Sequence, residues 1–199
     1  MDKLAIISRY NEDVSWVQQL NCDYKIYNKG NIIHELPCEA LPNVGRESQT
    51  FLHFIVSNYY KIQDSTLYCF LQGRPFDHLI TVDDINNATD EGFKSFGNRH
   101  FQEPLTASVN NFFPGGIPVI EFCDLLFKRN VFVEQGRISF LLGGQFAVSG
   151  ARIKKRCIKF YRFVASHLNT PNPLEGHIME RIWGLIFDDT LEDRFTAYD

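Results

Sequence analysis

The passage that most restricts how this chain can fold runs from Asn43 to His78, NVGRESQTFLHFIVSNYYKIQDSTLYCFLQGRPFDH. In it a helical repeat gives way to a continuous β-favouring run. Leu52, Ile55, Val56, Tyr59 and Ile62 recur at the spacing of one helix face, which predicts a helix packed on a sheet. Thr66 to Leu71 (TLYCFL) lacks polar alternation, the pattern of a strand covered on both faces. Asn43 reads as the helix N-cap, and Gly45 as a point where a backbone or a ligand comes close. The strand empties into Gln72, Gly73, Arg74, Pro75, Phe76, Asp77 and His78. In an open α/β sheet, ligands sit at the carboxyl ends of strands. The polar clusters Asn43 to Glu47 and Gln72 to His78 flank one helix–strand unit and read as leaving it at opposite ends. They share a site only if the loop before the helix folds toward the strand's carboxyl edge, and that convergence is the central expectation.

The flanking sequence extends the same pattern. Leu4 to Ser8 is a short buried strand followed by Arg9-Tyr10-Asn11-Glu12-Asp13, and a helix through Trp16, Val17 and Leu20 is expected with Asn11 as its cap. Tyr24 to Tyr27 reads as a second strand, closed by the turn Asn28-Lys29-Gly30. Strand, helix, strand, loop, helix, strand argues for an α/β fold with a mostly parallel sheet flanked by helices. Val82 to Ala88 reads as a helical turn. Asp90 to Pro118, with Gly97, Pro104, Pro114, Gly115, Gly116 and Pro118, reads as a long loop. Such a loop is either a binding loop or lid, or a packed surface excursion. Arg137 to Ser149 is a strand or bent hairpin pair around Gly143-Gly144. One helix should then carry Ile153, Cys157, Phe160, Tyr161, Val164 and Leu168 inward. Its other face bears Arg152, Lys154, Lys155, Arg156, Lys159 and Arg162, either an anion-binding surface or a solvated one. After Thr170-Pro171-Asn172-Pro173 comes a last helix with the stripe Ile178, Met179, Ile182, Trp183 and Ile186, and with Glu180 and Arg181 away from it or along its edge. These elements predict one domain over residues 1–199, with 151–190 a C-terminal helical part.

A chain of 199 residues that is 44% hydrophobic can bury one substantial core. Its net charge of −4 gives no general pull toward nucleic acid or an anionic membrane. The five cysteines are odd in number and lack a CxxC pair, so reduced thiols in a cytoplasmic protein are expected. No signal-like start and no apolar run near ~18 residues is present, which disfavours secretion and a membrane span. The sequence lacks GxSxG, P-loop, HExxH, GxGxxG and zinc-type Cys/His spacings. What remains is a set of polar groups at expected strand ends: Arg9, Asn43, Arg46, Glu47, Gln72, Asp77 and His78, with Glu180 later. Asp77 beside His78 offers oxygen and imidazole to a divalent cation, or is a cap next to a surface histidine. Arg46 in the first helical turn suits a diphosphate, or simply pairs with Glu47.

The blocks RYNEDVSWV, LPNVGRESQTFLHFIVSNY, FLQGRPFDH, GGQFAVSGARIKKRCIKFY and GHIMERIW together resemble an uncharacterised family of small proteins built around N-V-G-R-E and F-L-Q-G-x-P-F-D-H. More distantly, the chain is similar to glycosyltransferases of the GT-A type, especially rhamnan and capsular polysaccharide enzymes. In those, an N-x-G-R-D segment precedes a helix and a donor-site strand, and an S-E-R-L-like segment follows late. Asn43, Gly45, Arg46 and Glu47 match the first, with Glu for Asp; Glu180 and Arg181 match the last. The resemblance implies a GT-A-like domain moving a sugar from a nucleotide-sugar donor to a carbohydrate acceptor. Arg9, Asn43, Gly45, Arg46, Glu47, Gln72 and Arg74 would bind the donor, Asp77 and His78 would sit by the diphosphate with Asp77 counted as catalytic, and Glu180 would be the general base or would only fix Arg181. GT-A enzymes place an Asp-x-Asp after the central strand to hold a metal, where this chain has Gln72 to His78. Either Asp77 and His78 take over Mn²⁺ or Mg²⁺, or Arg46 and Arg74 neutralise the diphosphate without metal, or donor activity is absent. Asp83-Asp84 lies further from the strand. Two other classes remain expectations: a metal-dependent nucleotide-sugar hydrolase and a non-catalytic nucleotide-sugar binding module.

Overall fold

In chain order the elements are β1 (Lys3–Arg9), β2 (Asp23–Asn28), β3 (Cys38–Ala40), α1 (Arg46–Asn58), β4 (Leu67–Gln72), α2 (Val82–Asn86), β5 (Phe93–Ser95), β6 (His100–Pro104), α3 (Val119–Leu126), β7 (Arg137–Leu141), β8 (Phe146–Ser149), α4 (Gly150–Ile153), α5 (Ile158–Ser166) and α6 (Glu175–Ile186). They come from a computed structural model that describes residues 2–78, 80–89, 92–97, 99–104, 119–128, 137–173 and 175–195. Six strands make one mixed sheet in the order β3-β2-β1-β4-β8-β5, and β6 pairs with β7 in a second, two-stranded sheet. The pairs β1–β2, β1–β4 and β2–β3 are parallel. β8 runs against both its neighbours, β4 and β5. Ser8 stands opposite both Tyr27 and Gln72, so β1, β2 and β4 end at one level.

The apolar run in β4 is explained by two cores. Tyr68 and Phe70 face one cluster, with Ile6, Tyr27, Phe146 and the inner faces of α1, α5 and α6. Leu67, Cys69 and Leu71 face the other, with Ala5, Ile7, Trp16, Val17 and Ile85. Alternate side chains point to opposite faces of a strand, and here both faces are dry. Phe146 lies 4.8 Å from Trp183 and 5.0 Å from Phe70, ring centre to ring centre, which ties the last helix to the sheet. The stripe Ile178, Met179, Ile182, Trp183 and Ile186 is buried as expected. All five cysteines are free. Among the described residues no helix is long and apolar enough to cross a membrane.

Several expected elements are corrected. The segment after β1 forms only a 3₁₀ turn, Ser15–Gln19. Asp13, not Asn11, steadies its start by accepting the Ser15 N–H at 2.8 Å. The long loop from Asp90 contains β5 and β6; residues 105–118 of it lie outside the described residues. Gly143 and Gly144, at φ 106° and 59°, carry the chain from β7 in one sheet to β8 in the other, so these strands are not a hairpin pair. The single helix expected from Ile153 to Leu168 is two, because Cys157 is extended at φ −71° and ψ 161° and Arg156 turns inward, 4% exposed. Much of the expected cationic face is spent on internal pairs: Arg152 with Asp189, Lys154 with Asp64 and Arg156 with Asp193.

Candidate functional site

From β1 the chain moves outward to β2 and β3, then returns through α1 to β4 on the other side of β1. The order therefore reverses between β1 and β4, and ligands of open α/β sheets bind beyond the carboxyl ends at such a point. A cleft of about 530 Å³ opens there. Ser8, Arg9, Tyr10 and Glu12 line it from beyond β1, and Lys29 from beyond β2. Asn43, Arg46 and Glu47 line it from the turn into α1, and Gln72, Arg74 and Asp77 from beyond β4. The two polar clusters thus meet, and for a simpler reason than the sequence reading supposed. A helix that feeds a parallel strand runs antiparallel to it, so α1 begins at the edge where β4 ends.

The turn into α1 is unusual. Its N-cap is Gly45, at φ 64° and without a side-chain cap, which corrects the expectation for Asn43. Gly45 donates its N–H to the Thr170 carbonyl at 2.9 Å. A Cβ there would sit 2.4 Å from the Leu168 carbonyl oxygen, so this glycine admits neighbouring backbone rather than a ligand. Arg46 follows at φ 53°, the one non-glycine among the described residues with positive φ. That conformation costs about 1 to 2 kcal/mol for an L-residue and is held from below. The Lys29 ammonium, 8% exposed, donates to the Val44 carbonyl at 2.6 Å and to the Arg46 carbonyl at 2.5 Å. Burial pushes Lys29 down to about 8, with Glu47 acting in the opposite sense. The Arg46 guanidinium reaches His177 Nε2 at 3.3 Å and the Glu47 carboxylate at 3.8 Å.

Glu47 is a largely buried carboxylate on the cleft wall. Burial pushes it above its ordinary range, Arg46 and Lys29 oppose the shift, and Glu180 adds to it. The folded form holds its proton to higher pH than the unfolded chain, whose value is near 4.5, so Glu47 subtracts stability as pH rises through that window. Glu47→Gln should therefore make the melting temperature fall less steeply, or rise more steeply, as pH increases above about 4.5; a slope equal to that of the unaltered protein in thermal melts refutes the assignment.

Other expected site residues serve the walls. Arg9 Nη1 donates to the Asn28 side chain and to the Tyr10 and Asn31 carbonyls, while Nε donates to the Glu12 carbonyl. It braces the loops beyond β1 and β2. Gln72 donates through Nε2 to the Gly143 carbonyl at 2.9 Å. Glu180 accepts the Gly143 N–H at 2.5 Å and lines a separate cavity of about 100 Å³ with Trp183 and Gly144, not the cleft. Arg74 and Asp77 pair at 3.2 Å and are both exposed. The His78 ring packs on Gly143, where a Cβ would meet it at 2.7 Å, so Asp77 and His78 do not act as a pair on the cleft. Among the described residues, no group of three His, Cys, Asp or Glu side chains is placed to hold a metal ion. Of the expected Asp77–His78 pair, Asp77 lines the cleft and the His78 ring lies against Gly143.

Lys29, Glu12 and Tyr10 were missed as site residues, although the strand-end rule applied to β1 and β2 as it did to β4. Glu12 accepts the Tyr10 N–H at 2.7 Å and its carboxylate lies against Gly73. The cleft holds four cationic side chains, Arg9, Lys29, Arg46 and Arg74, against three carboxylates, Glu12, Glu47 and Asp77. A chain of net charge −4 thus concentrates an excess of positive charge here, as an anionic ligand requires.

Residues 4–90 match a family described as Protein of unknown function (DUF3431). The match encloses every cleft-lining residue and excludes Glu180. No curated protein and no solved structure matches the chain.

Proposed function

We propose that this protein transfers a sugar from a nucleotide-sugar donor to an acceptor hydroxyl, on a GT-A-like scaffold. The observation that carries the reading is the meeting of residues 43–47 and 72–77 in one cationic cleft at the reversal of strand order. The N-V-G-R-E and F-L-Q-G-R-P-F-D-H segments that carry the resemblance supply both walls. Arg46 and Arg74 hold the leaving diphosphate, where fixed positive charge stabilises the departing group. Tyr10, 49% exposed on the rim, offers a ring face to the nucleobase. Glu47 takes the acceptor proton: it lines the cleft, and a carboxylate shifted upward works closer to its optimum as a base near neutral pH. Glu180 acts at one remove, by fixing the Gly143 turn.

Calorimetric titration with a panel of nucleotide sugars, with and without Mn²⁺, tests the reading. At least one donor should bind, and the double variant R46A/R74A should weaken it about 10- to 100-fold or more. Failure of every donor to bind, or binding unaffected by the double variant, overturns it. Release of free sugar without acceptor points instead to the hydrolase, and donor binding without turnover on any acceptor to the binding module.

A further inference from the structure

We infer that Lys29 is a second-tier anion ligand built into the floor of the cleft, pinning the Gly45–Arg46 turn with two N–H groups and presenting its remaining N–H and its charge to a phosphate oxygen. The inference rests on the cleft being a diphosphate site, but it needs neither a sugar nor a reaction.

An ammonium has three donors. Among the described residues, Lys29 donates to two acceptors, the Val44 and Arg46 carbonyls. Lys29 nonetheless lines the cleft. Keeping a cation in so buried a place is costly unless it is paired, and two neutral carbonyls offset that cost only in part. The downward pull on its proton affinity is the mark of that incomplete compensation, and a bound phosphate oxygen would complete it. The charged groups around it are Arg9 and Glu12 from beyond β1, Arg46 and Glu47 from α1, and Arg74 and Asp77 from beyond β4. Of these, Glu47 acts on Lys29 directly. Arg46 is exposed and Lys29 is buried, so the pair would grip an anion from the rim and from below. The strained backbone of Arg46 has its explanation here too, because the same lysine that fixes that turn supplies the second cation.

The probe is inorganic pyrophosphate, titrated into the full chain and into Lys29→Met at about pH 7 and about pH 9.5, either side of the Lys29 transition. Reading the ratio of the two affinities at each pH cancels the ligand's own ionisation. The unaltered protein should bind about tenfold or more tightly at the lower pH, and the ratio should shrink at the higher pH. A ratio near one at the lower pH, or one that does not change with pH, overturns the inference. If Lys29→Met does not fold, ¹³Cε NMR of Lys29 in the unaltered protein decides. By reciprocity, saturating pyrophosphate should raise its titration midpoint by about one pH unit for a tenfold preference; an unmoved midpoint overturns the inference. A moved midpoint without any nucleotide-sugar binding leaves Lys29 standing and removes the transferase. Donor turnover with an unmoved midpoint does the reverse.

Discussion

Glu47→Gln should lower turnover about 10²- to 10⁴-fold, the usual contribution of a general base, while donor affinity changes little. The amide preserves the volume of the carboxylate on the cleft wall but cannot accept the acceptor proton. Arg46 and Arg74 remain to hold the donor, and Arg46 loses only a 3.8 Å neighbour. Glu180→Gln is the control. Its amide oxygen can still accept the Gly143 N–H that Glu180 binds at 2.5 Å, so turnover should stay within about tenfold. Steady-state kinetics with the donor found by titration measures both. Loss of turnover in the Glu180 variant with full turnover in the Glu47 variant would return the base to Glu180.

The second large effect concerns the C-terminal layer. Arg156→Ala should destabilise the fold by about 3 to 5 kcal/mol, the range for removing one partner of a buried ion pair. Arg156 donates to the carbonyls of Ile186, Asp188 and Leu191 and to the Asp193 carboxylate. Its guanidinium also lies 5.4 Å from the Phe127 ring centre and 5.7 Å from that of Phe160. It therefore closes the end of α6, whose last carbonyls have no helical partner, and fastens the segment beyond it. Alanine leaves the Asp193 side chain, only 9% exposed, without its cation. Denaturant unfolding reads the loss; less than about 1 kcal/mol would show that the clasp carries little.

What the sequence made legible were the elements with a strong apolar period. The β4 run, the α1 face and the α6 stripe each bury what their spacing predicts, because packing against a dry core enforces that spacing. β3 has three exposed residues and leaves no such trace. The break at Cys157 was hidden because the apolar positions on either side stay in helical phase, so only the inward turn of Arg156 interrupts the ladder. Arg156 was grouped with the exposed cations since residue type does not record burial. The cleft was legible as two polar segments, but the sequence does not say which of their side chains serve the protein itself. Arg9 and Gln72 line the cleft but spend donors on bracing loops, and Glu180 lies outside it, whereas Lys29 and Glu12 reach the cleft from turns whose direction is set by the whole sheet.

Gly143 is gripped from two sides. Gly143 offers its carbonyl to Gln72, at the end of a parallel strand, and its N–H to Glu180, on the last helix. The two successive peptide units that flank Gly143 thus join β4 to α6, so that Gln72 and Glu180 hold the same turn from opposite sides.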